Sequence, residues 1–233
     1  IIAAIEHAQS VNASLVVFSE LAVCGYPPKD LLEHEHFIES CNQALLEIAR
    51  HTTHIHVLVG APHQLSNSAN QKRLFNSAYH LHNGAIQQII HKTLLPTYDI
   101  FDEARYFETA TENQCITIEG VKFAITICED IWQAEPARLA TAAGAELLLV
   151  INASPFDLEK QASRLSLLRE RALELALPIV YLNSVGGQDE LVFDGGSMVV
   201  AADGQVTQRL PAFETALATV TFNAGKLISQ PLA

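Results

Sequence analysis

Four continuous apolar runs constrain the fold of this chain more than any other feature. They cover residues 15–20, 55–61, 146–152 and 178–184 and are rich in Val, Ile and Leu. A strand that is covered on both faces reads as an uninterrupted apolar run, whereas a half-exposed strand alternates apolar and polar residues. The runs therefore predict buried strands. Before and between these runs, apolar residues recur at helical spacing, which predicts helices over residues 2–11, 38–48, 136–145 and 159–177.

Three dipeptides mark hairpins. Asn83-Gly84, Glu119-Gly120 and Asp203-Gly204 each separate two strand-like runs, and Asn-Gly is favoured in type I′ turns. TALATVTF (residues 215–222) is predicted to be the strand that closes the sheet. Hairpins and crossover helices in one chain exclude both a purely parallel barrel and an all-β sandwich. We therefore expect a single α/β domain in which two packed sheets carry helices on their outer faces.

Composition and charge narrow the functional class. Apolar residues make up 49% of the 233 residues, which excludes intrinsic disorder, and no apolar run reaches the roughly 18 residues that a membrane helix needs. The net charge of −12 and the lack of a basic cluster argue against a nucleic-acid partner. The four cysteines form no CxxC pair, so we expect neither a disulfide framework nor a zinc site, and a cytoplasmic location.

Three reactive side chains stand at the ends of apolar strands. Cys128 ends FAITIC, Glu20 ends LVVFSE and Lys92 ends IIHK. A nucleophilic thiol needs a base and a group that stabilises negative charge, and these residue types supply both. Each also has an ordinary interpretation, as a buried apolar thiol or a solvated strand end. Cys24 and Cys115 are alternative nucleophiles, and spacing alone does not bring the three side chains together.

Five sequence blocks together resemble one known family. They are FSELAVCGYPPKDLL, HKTLLPTYDIFDEARYF, ITICEDIW, NASPFDLEK and VYLNSVGGQDELVFDGGS, which extend from Phe18 to Ser197. In this order they resemble the glutaminase domains of glutamine-dependent NAD synthetases, a branch of the nitrilase (carbon–nitrogen hydrolase) superfamily. The resemblance implies a nitrilase-like four-layer α-β-β-α sandwich, with residues 1–233 as a single domain that lacks its first strand.

The resemblance also implies a Glu-Lys-Cys triad. Glu20 would be the general base that takes the thiol proton, and Lys92 would stabilise the oxyanion together with the backbone N–H that follows the cysteine. Cys128 would attack the side-chain amide of glutamine, release ammonia and form a glutamyl thioester, which water would then hydrolyse. Glu103 would be a supporting carboxylate beside the lysine.

The glutamine contacts of the family fall on three further positions. Tyr98, Ser154 and Lys160 match the family's tyrosine, serine and basic residue, and Glu129 would assist in binding the substrate ammonium. Glutamine is a zwitterion, so its pocket needs a cation for the α-carboxylate and hydrogen-bonding groups for the ammonium. Without the resemblance, Ser154 and Lys160 would read as ordinary loop and helix residues.

The resemblance extends to cofactors and partners. We expect no cofactor in this domain, whereas ATP, Mg and deamido-NAD would belong to a synthetase domain of the same polypeptide, which is absent from a chain that stops at ISQPLA. We also expect a homo-oligomer without a nucleic-acid or membrane partner. The histidine pairs at 34/36, 54/56 and 80/82 lack a third ligand, so we predict no metal site.

Two alternatives remain open from the sequence. One is a stand-alone nitrilase-type amidase that acts on another small amide, and the other is a non-catalytic scaffold with the same fold. A set of residues that binds a zwitterion favours glutamine over other amides, and an intact triad argues against the scaffold.

Overall fold

The structure is a computed structural model that describes residues 1–66, 72–111, 115–223 and 226–229. The chain divides into two compact units, residues 1–113 and 114–233. That all 233 residues form one domain stays a prediction.

The described residues contain four α-helices, fourteen strands and three short 3₁₀ helices. The helices are α1 (Ile2–Ser10), α2 (Glu35–Arg50), α3 (Ala134–Ala142) and α4 (Lys160–Leu175). The strands of the first unit are β1 (Leu15–Val17), β2 (His56–Ser66), β3 (Lys72–His82) and β4 (Ala85–His91). Those of the second unit are β5 (Cys115–Ile118), β6 (Val121–Ile127), β7 (Leu147–Asn152), β8 (Ile179–Asn183), β9 (Val185–Gln188), β10 (Leu191–Asp194), β11 (Met198–Val200), β12 (Val206–Arg209), β13 (Val220–Asn223) and β14 (Lys226–Ser229). The 3₁₀ helices are Lys29–Glu33, Glu103–Arg105 and Cys128–Ile131.

The first unit is built on a four-stranded sheet with the order β1-β2-β3-β4. β1 runs parallel to β2, and the other neighbours are antiparallel. The β3–β4 hairpin turns at Asn83 and Gly84, whose φ angles of 51° and 73° are both positive, as a type I′ turn requires. This confirms the predicted hairpin.

One face of this sheet packs against α1 and α2. Ile5 of α1 and Leu45 of α2 belong to the same buried cluster as Val57, Val59 and Tyr79 of the sheet. Because side chains alternate between the faces of a strand, Leu58 of β2 and the even-numbered residues of β3 from 74 to 82 lie on the opposite face. That face carries the charged cluster described below.

The second unit contains a six-stranded sheet with the order β12-β11-β8-β7-β6-β5. β6, β7 and β8 are parallel, as expected of strands joined by crossover helices. Every residue of β7 is buried, and α3 and α4 pack on the sheet through a cluster that includes Ala137, Leu168 and Val150. The predicted strands at 146–152 and 178–184 and the Glu119-Gly120 hairpin are therefore confirmed, although β8 alternates buried and half-buried residues where the sequence predicted continuous burial.

Two details differ from the sequence-based expectations. β1 ends at Val17 rather than at Glu20, because the chain turns after it and Leu21 adopts a φ of 47°. The segment at 185–194, for which the sequence made no prediction, forms a hairpin of β9 and β10. The segment TALATVTF does not close the sheet, because β13 pairs with β14 in a separate two-stranded sheet. Residues 230–233 of the terminal ISQPLA lie outside the described part of the chain.

Among the helices in the described ranges, none combines the length and the apolar character that crossing a bilayer requires.

Candidate active site

Glu20 is held in place by a close approach of two backbone segments. A Cβ atom built on Gly60 of β2 would lie only 2.3 Å from Leu21 N and 2.5 Å from Ser19 O. The Gly60 N–H donates to Ser19 O at 3.2 Å, and the Val23 N–H donates to Gly60 O at 3.1 Å. Only glycine leaves room for this contact, which places the Glu20 side chain in the protein interior, 1% exposed.

Lys92 follows β4 and is completely buried. Its backbone N–H donates to Asn76 O at 2.8 Å, which extends the β3–β4 ladder by one step. Its ammonium Nζ donates to Glu20 Oε1 at 2.8 Å and to Glu103 Oε1 and Oε2 at 2.7 and 2.9 Å. Two carboxylates therefore share one buried cation. Fixed in this way, the ammonium is available to stabilise negative charge that develops nearby.

Glu103 reaches the cluster from the short helix Glu103–Arg105, where its own N–H donates to Pro96 O at 3.1 Å. The Tyr26 hydroxyl donates to Glu103 Oε1 at 2.7 Å. Burial raises the pKa of Glu103, while the Lys92 charge opposes that shift and the Glu20 charge adds to it. A pair of carboxylates beside one cation has unbalanced charge, so a raised pKa at Glu103 is the expected response.

A cavity of about 200 Å³ adjoins this cluster in the first unit. Tyr26, Phe101 and Glu103 contribute to its wall. Tyr98 is half exposed, and its ring meets the Phe101 ring edge-on at 5.5 Å between centroids. A small polar molecule in this cavity would be in contact with the carboxylate that holds Lys92.

Cys128 lies at a sharp turn between a strand and a helix. It follows the last residue of β6, begins the 3₁₀ helix Cys128–Ile131 and has a φ of 48°. A positive φ in a non-glycine residue is uncommon and concentrates at functional sites. The Ile127 N–H donates to the Asp130 carboxylate at 3.0 Å, which fixes the turn. Nucleophiles of hydrolases occupy such turns because the following backbone N–H groups can bind an oxyanion. Glu129 lies in the same turn and is partly buried.

Ser154 is held by a buried ion pair. Arg164 of α4 contacts Asp194 Oδ1 at 2.7 Å, and the two side chains are 1% and 0% exposed. The Arg164 guanidinium also donates to Ser154 O at 2.8 Å and to Ser154 Oγ at 3.3 Å. The Ser154 N–H donates to Asn183 Oδ1 at 2.8 Å. The conformation at Ser154 therefore depends on a charged pair that links α4 to β10.

Lys160, the first residue of α4, places its ammonium 4.6 Å from the centroid of the Trp132 ring. This cation–π contact orients the cation and joins the start of α4 to the segment that follows Cys128.

The structure brings three of the predicted site residues into direct contact, namely Glu20, Lys92 and Glu103. Tyr98 belongs to the same unit. In the second unit, Cys128 and Glu129 share a turn, Ser154 is bound by Arg164, and Lys160 lies over Trp132. The catalytic and binding roles of all these residues stay predictions.

Sequence reasoning missed several supporting residues: Tyr26, Gly60, Asn76, Arg164 and Asp194. Gly60 carries a recognisable signal, because a glycine inside an apolar strand often marks a close backbone approach. Arg164 follows Lys160 by one helical turn, which places both on one face of α4. Asn76 and Tyr26 are identified only once their distant partners are known.

The other candidate nucleophiles are less suitable. The Cys41 thiol and burial raise the pKa of Cys24, and burial raises the pKa of Cys115. A thiol with a raised pKa is a poor nucleophile near neutral pH, because the thiolate is the reactive form. Neither residue stands at a turn like that of Cys128.

Within the described ranges, no group of three or more His, Cys, Asp or Glu side chains is arranged to hold a metal ion. His56 and His80 instead hydrogen-bond to each other at 2.9 Å, and His82 stacks on His56. Burial, with the charges of its two neighbours, lowers the pKa of His80 to about 4.

The sequence profile of the carbon–nitrogen hydrolase family matches residues 1–231. The chain belongs to the carbon–nitrogen hydrolase family. Among curated relatives of this family member, the glutamine-dependent NAD(+) synthetase of Synechocystis sp. is 39% identical over 100% of the chain and 45% of the relative. The enzyme of the same name from Xanthomonas campestris is 44% identical over 95% of the chain and 40% of the relative. The chain thus spans less than half the length of these relatives.

Solved structures show the same relationship. The glutamine-dependent NAD+ synthetase of Acinetobacter baumannii matches with a TM-score of 0.91 and 32% identity, over 100% of this chain and 44% of that one. A nitrilase-superfamily amidase from Nesterenkonia AN1 matches with a TM-score of 0.75 and 26% identity, over 90% of this chain and 78% of that one. In another structure of that amidase, acrylamide is added to the active-site cysteine. The predicted nitrilase-like α/β fold is confirmed.

The Arg164–Asp194 pair generates a stability prediction. Arg164→Met removes the cation beside the buried Asp194 carboxylate and leaves it only the hydrogen bond from the Gln161 amide, so we expect the free energy of unfolding to fall by about 3–5 kcal/mol. Urea unfolding of the purified variant measures the change. Arg169→Met is the matched control on the exposed face of the same helix, and its effect should stay within about 0.5 kcal/mol. Equal effects of the two substitutions would contradict the structural role of the pair.

Proposed function

We propose that this chain is the glutamine amidohydrolase part of a glutamine-dependent NAD synthetase. It hydrolyses L-glutamine and supplies ammonia for the ATP-dependent amidation of deamido-NAD by the rest of the full-length protein. The observation that carries the proposal is the buried Lys92 shared by Glu20 and Glu103 in a chain that is similar over its whole length to curated synthetases.

The first half of the proposed reaction forms a thioester. Glu20 takes the proton of the Cys128 thiol, and the thiolate attacks the side-chain amide carbon of glutamine. The tetrahedral oxyanion is stabilised by the Lys92 ammonium and by the backbone N–H that follows Cys128. The carbon–nitrogen bond then breaks, the proton passes from Glu20 to the leaving nitrogen, and ammonia departs.

The second half regenerates the enzyme. Glu20, now ionised again, takes a proton from water, and the resulting nucleophile attacks the thioester carbon. The carbon–sulfur bond breaks, glutamate is released and the Cys128 thiol recovers its proton from Glu20. Throughout the cycle Glu103 keeps Lys92 in place, since it accepts two of the hydrogen bonds that the ammonium donates.

The residues proposed to bind glutamine match the charges of a zwitterion. Lys160 binds the α-carboxylate, Glu129 assists with the α-ammonium, and Tyr98 and Ser154 supply polar contacts. Support comes from the contact of Lys160 with Trp132 and from the hydrogen bonds that fix Ser154, because an immobilised binding group loses less entropy when the ligand arrives.

The proposal extends to the whole protein. ATP, Mg and deamido-NAD act in the synthetase part, which is continuous with this chain in the full-length protein, while the chain itself uses no cofactor. The full-length protein is proposed to be a cytoplasmic homo-oligomer that has no nucleic-acid or membrane partner.

A second candidate is an amidase that acts on another small amide. It is favoured by the similarity to the Nesterenkonia AN1 amidase, most of whose length the chain covers. The two candidates differ in whether the substrate carries an α-carboxylate and an α-ammonium.

The catalytic roles predict the effects of two substitutions on ammonia release from glutamine. Cys128→Ala should abolish release, because no nucleophile remains. Lys92→Met should lower kcat by about 10²–10³-fold, since a single oxyanion-stabilising group contributes this much. Release is measured with a coupled ammonia assay on the full-length protein. The control is Lys122→Met, at a lysine of β6 that donates to the Ala143 carbonyl, and it should retain wild-type kcat. Activity in Cys128→Ala would refute the mechanism.

The binding role of Lys160 separates the two candidate substrates. Lys160→Ala removes the cation for the α-carboxylate, so we expect KM for glutamine to rise about 10–100-fold with a smaller change in kcat. Hydrolysis of a simple amide such as propionamide should be unaffected by the same substitution. If the wild-type protein hydrolyses the simple amide but not glutamine, the amidase candidate replaces the glutaminase.

A further inference from the structure

We propose that Arg171 is a positioning residue that holds the end of the Cys128 turn (residues 127–132) and so fixes the direction of the backbone N–H groups that follow the nucleophile. This inference deepens the proposed glutaminase function and rests on it. Every residue that takes part belongs to the second unit.

Arg171 of α4 binds the main chain at the end of this turn. Its Nε donates to Ile131 O at 3.2 Å, and its Nη2 donates to Trp132 O at 3.1 Å. These are consecutive carbonyls at the end of the 3₁₀ helix Cys128–Ile131. The last carbonyls of a helix lack partners within that helix, and Ile131 is completely buried, which limits the access of water. The guanidinium therefore supplies hydrogen bonds that the turn itself does not provide.

The charge of Arg171 is balanced on its other side. Its Nη1 lies 2.9 Å from Glu174 Oε2 and 3.2 Å from Glu170 Oε1, and the Arg171 side chain is 9% exposed. Burying a guanidinium is costly unless it is paired and hydrogen-bonded, and the two carboxylates meet that requirement. Leu168 and Ala172, on the same helix, are completely buried in the core cluster. Arg171 is thus attached to a well-packed helix, so its guanidinium can hold the turn in a fixed place.

The Cys128 turn needs to be held at both ends. The φ of 48° at Cys128 lies in the left-handed region, which a non-glycine residue keeps only where the surrounding structure enforces it. At the start of the turn, the Ile127 N–H donates to the Asp130 carboxylate at 3.0 Å. That hydrogen bond lies within the turn, whereas the contacts of Arg171 tie the turn to α4. The position of the turn relative to the rest of the unit therefore depends on Arg171.

Small movements at the end of the turn change the direction of the N–H groups at its start. A 3₁₀ helix rises about 2 Å per residue, so a shift of about 1 Å at Ile131, roughly 6 Å along the axis from Cys128, rotates the helix by about 10°. Catalytic groups have to be held within about 0.5 Å and 10–20° of their productive geometry. Loss of the Arg171 contacts is therefore expected to misdirect the N–H that is proposed to bind the oxyanion, without removing it.

Arg138 of α3 provides a matched control. Its Nε donates to Glu174 Oε1 at 2.6 Å, and its side chain is 61% exposed. Arg138→Met removes one cation from Glu174, as Arg171→Met does. It leaves the hydrogen bonds to Ile131 and Trp132 in place, so the two variants separate the loss of an ion pair from the loss of the main-chain contacts.

The first experiment measures ammonia release from glutamine by the full-length protein and its variants. We expect Arg171→Met to lower kcat by about 10–100-fold, the scale of a misplaced catalytic group. KM should change by less than about threefold, because no residue assigned to substrate binding is altered. Arg171→Lys keeps the charge but lacks the planar fork that reaches both carbonyls, so its kcat should lie between those of the wild type and Arg171→Met. Arg138→Met should retain kcat within about twofold of wild type.

A second readout does not depend on glutamine. Hydrogen–deuterium exchange, followed by mass spectrometry, reports how often a segment opens. In Arg171→Met, the peptide that spans residues 127–133 should exchange at least about tenfold faster than in the wild type, while the peptide that spans β7 should exchange at the wild-type rate. In Arg138→Met, both peptides should exchange as in the wild type.

Each outcome decides the role of Arg171. A folded Arg171→Met variant with wild-type kcat and unchanged exchange over residues 127–133 overturns the proposal. Equal losses of kcat in Arg171→Met and Arg138→Met overturn it as well, because only the ion pairs of Glu174 would then matter. So does a raised KM with wild-type kcat, which would assign the effect to substrate binding.

Two further results are distinguishable from these. Should Arg171→Met fail to fold, Arg171→Lys carries the test, and wild-type kcat together with wild-type exchange in that variant contradicts the positioning role. If the wild-type protein releases no ammonia from glutamine, the proposed function fails, while the exchange measurement still decides whether Arg171 holds the turn.

Discussion

The buried ammonium of Lys92, held between Glu20 and Glu103, is the interaction on which the first unit depends. Two carboxylates and one cation are buried together, and removing the cation would leave both carboxylates without a counter-charge, at a cost of several kcal/mol. The surrounding structure limits that cost. Gly60 lets the Glu20 backbone lie against β2, Tyr26 donates to Glu103, and Asn76 donates to Glu20. The same contacts that stabilise the cluster also define its geometry, as proton transfer requires.

In the second unit, strand ends again determine where reactive groups lie. Cys128 adopts its positive φ directly after β6. β6 is one of three neighbouring parallel strands, β6, β7 and β8. Arg164 connects α4 to Ser154 and Asp194, and Lys160 lies one helical turn earlier on Trp132. Thus one helix both packs against the sheet and presents the cation that is proposed to bind glutamine.

Local chemistry explains what the sequence predicts correctly. The hairpin at Asn83-Gly84 follows from residues that tolerate positive φ, and β7 and β8 follow from apolar runs that only a covered strand explains. The resemblance identified Glu20, Lys92 and Glu103, and the fold brings these three side chains into contact.

The residues that were missed depend on distant partners. Asn76 is 56 positions from Glu20 and Arg164 is 30 positions from Asp194, and no local pattern encodes such pairs. The pairing of β13 with β14 was missed for the same reason, because register between strands is set by the fold and not by the composition of one segment.

The most direct test of the proposed glutaminase is covalent labelling of the full-length protein with a chloro-ketone analogue of glutamine, followed by intact-mass measurement and peptide mapping. We expect one adduct per chain, on Cys128, that free glutamine suppresses and that Lys160→Ala weakens. The probe reports the nucleophile and the binding pocket together. Labelling at Cys24 or Cys115 in place of Cys128, or labelling of Cys128 that glutamine does not suppress, would contradict the assignment of this chain as a glutaminase.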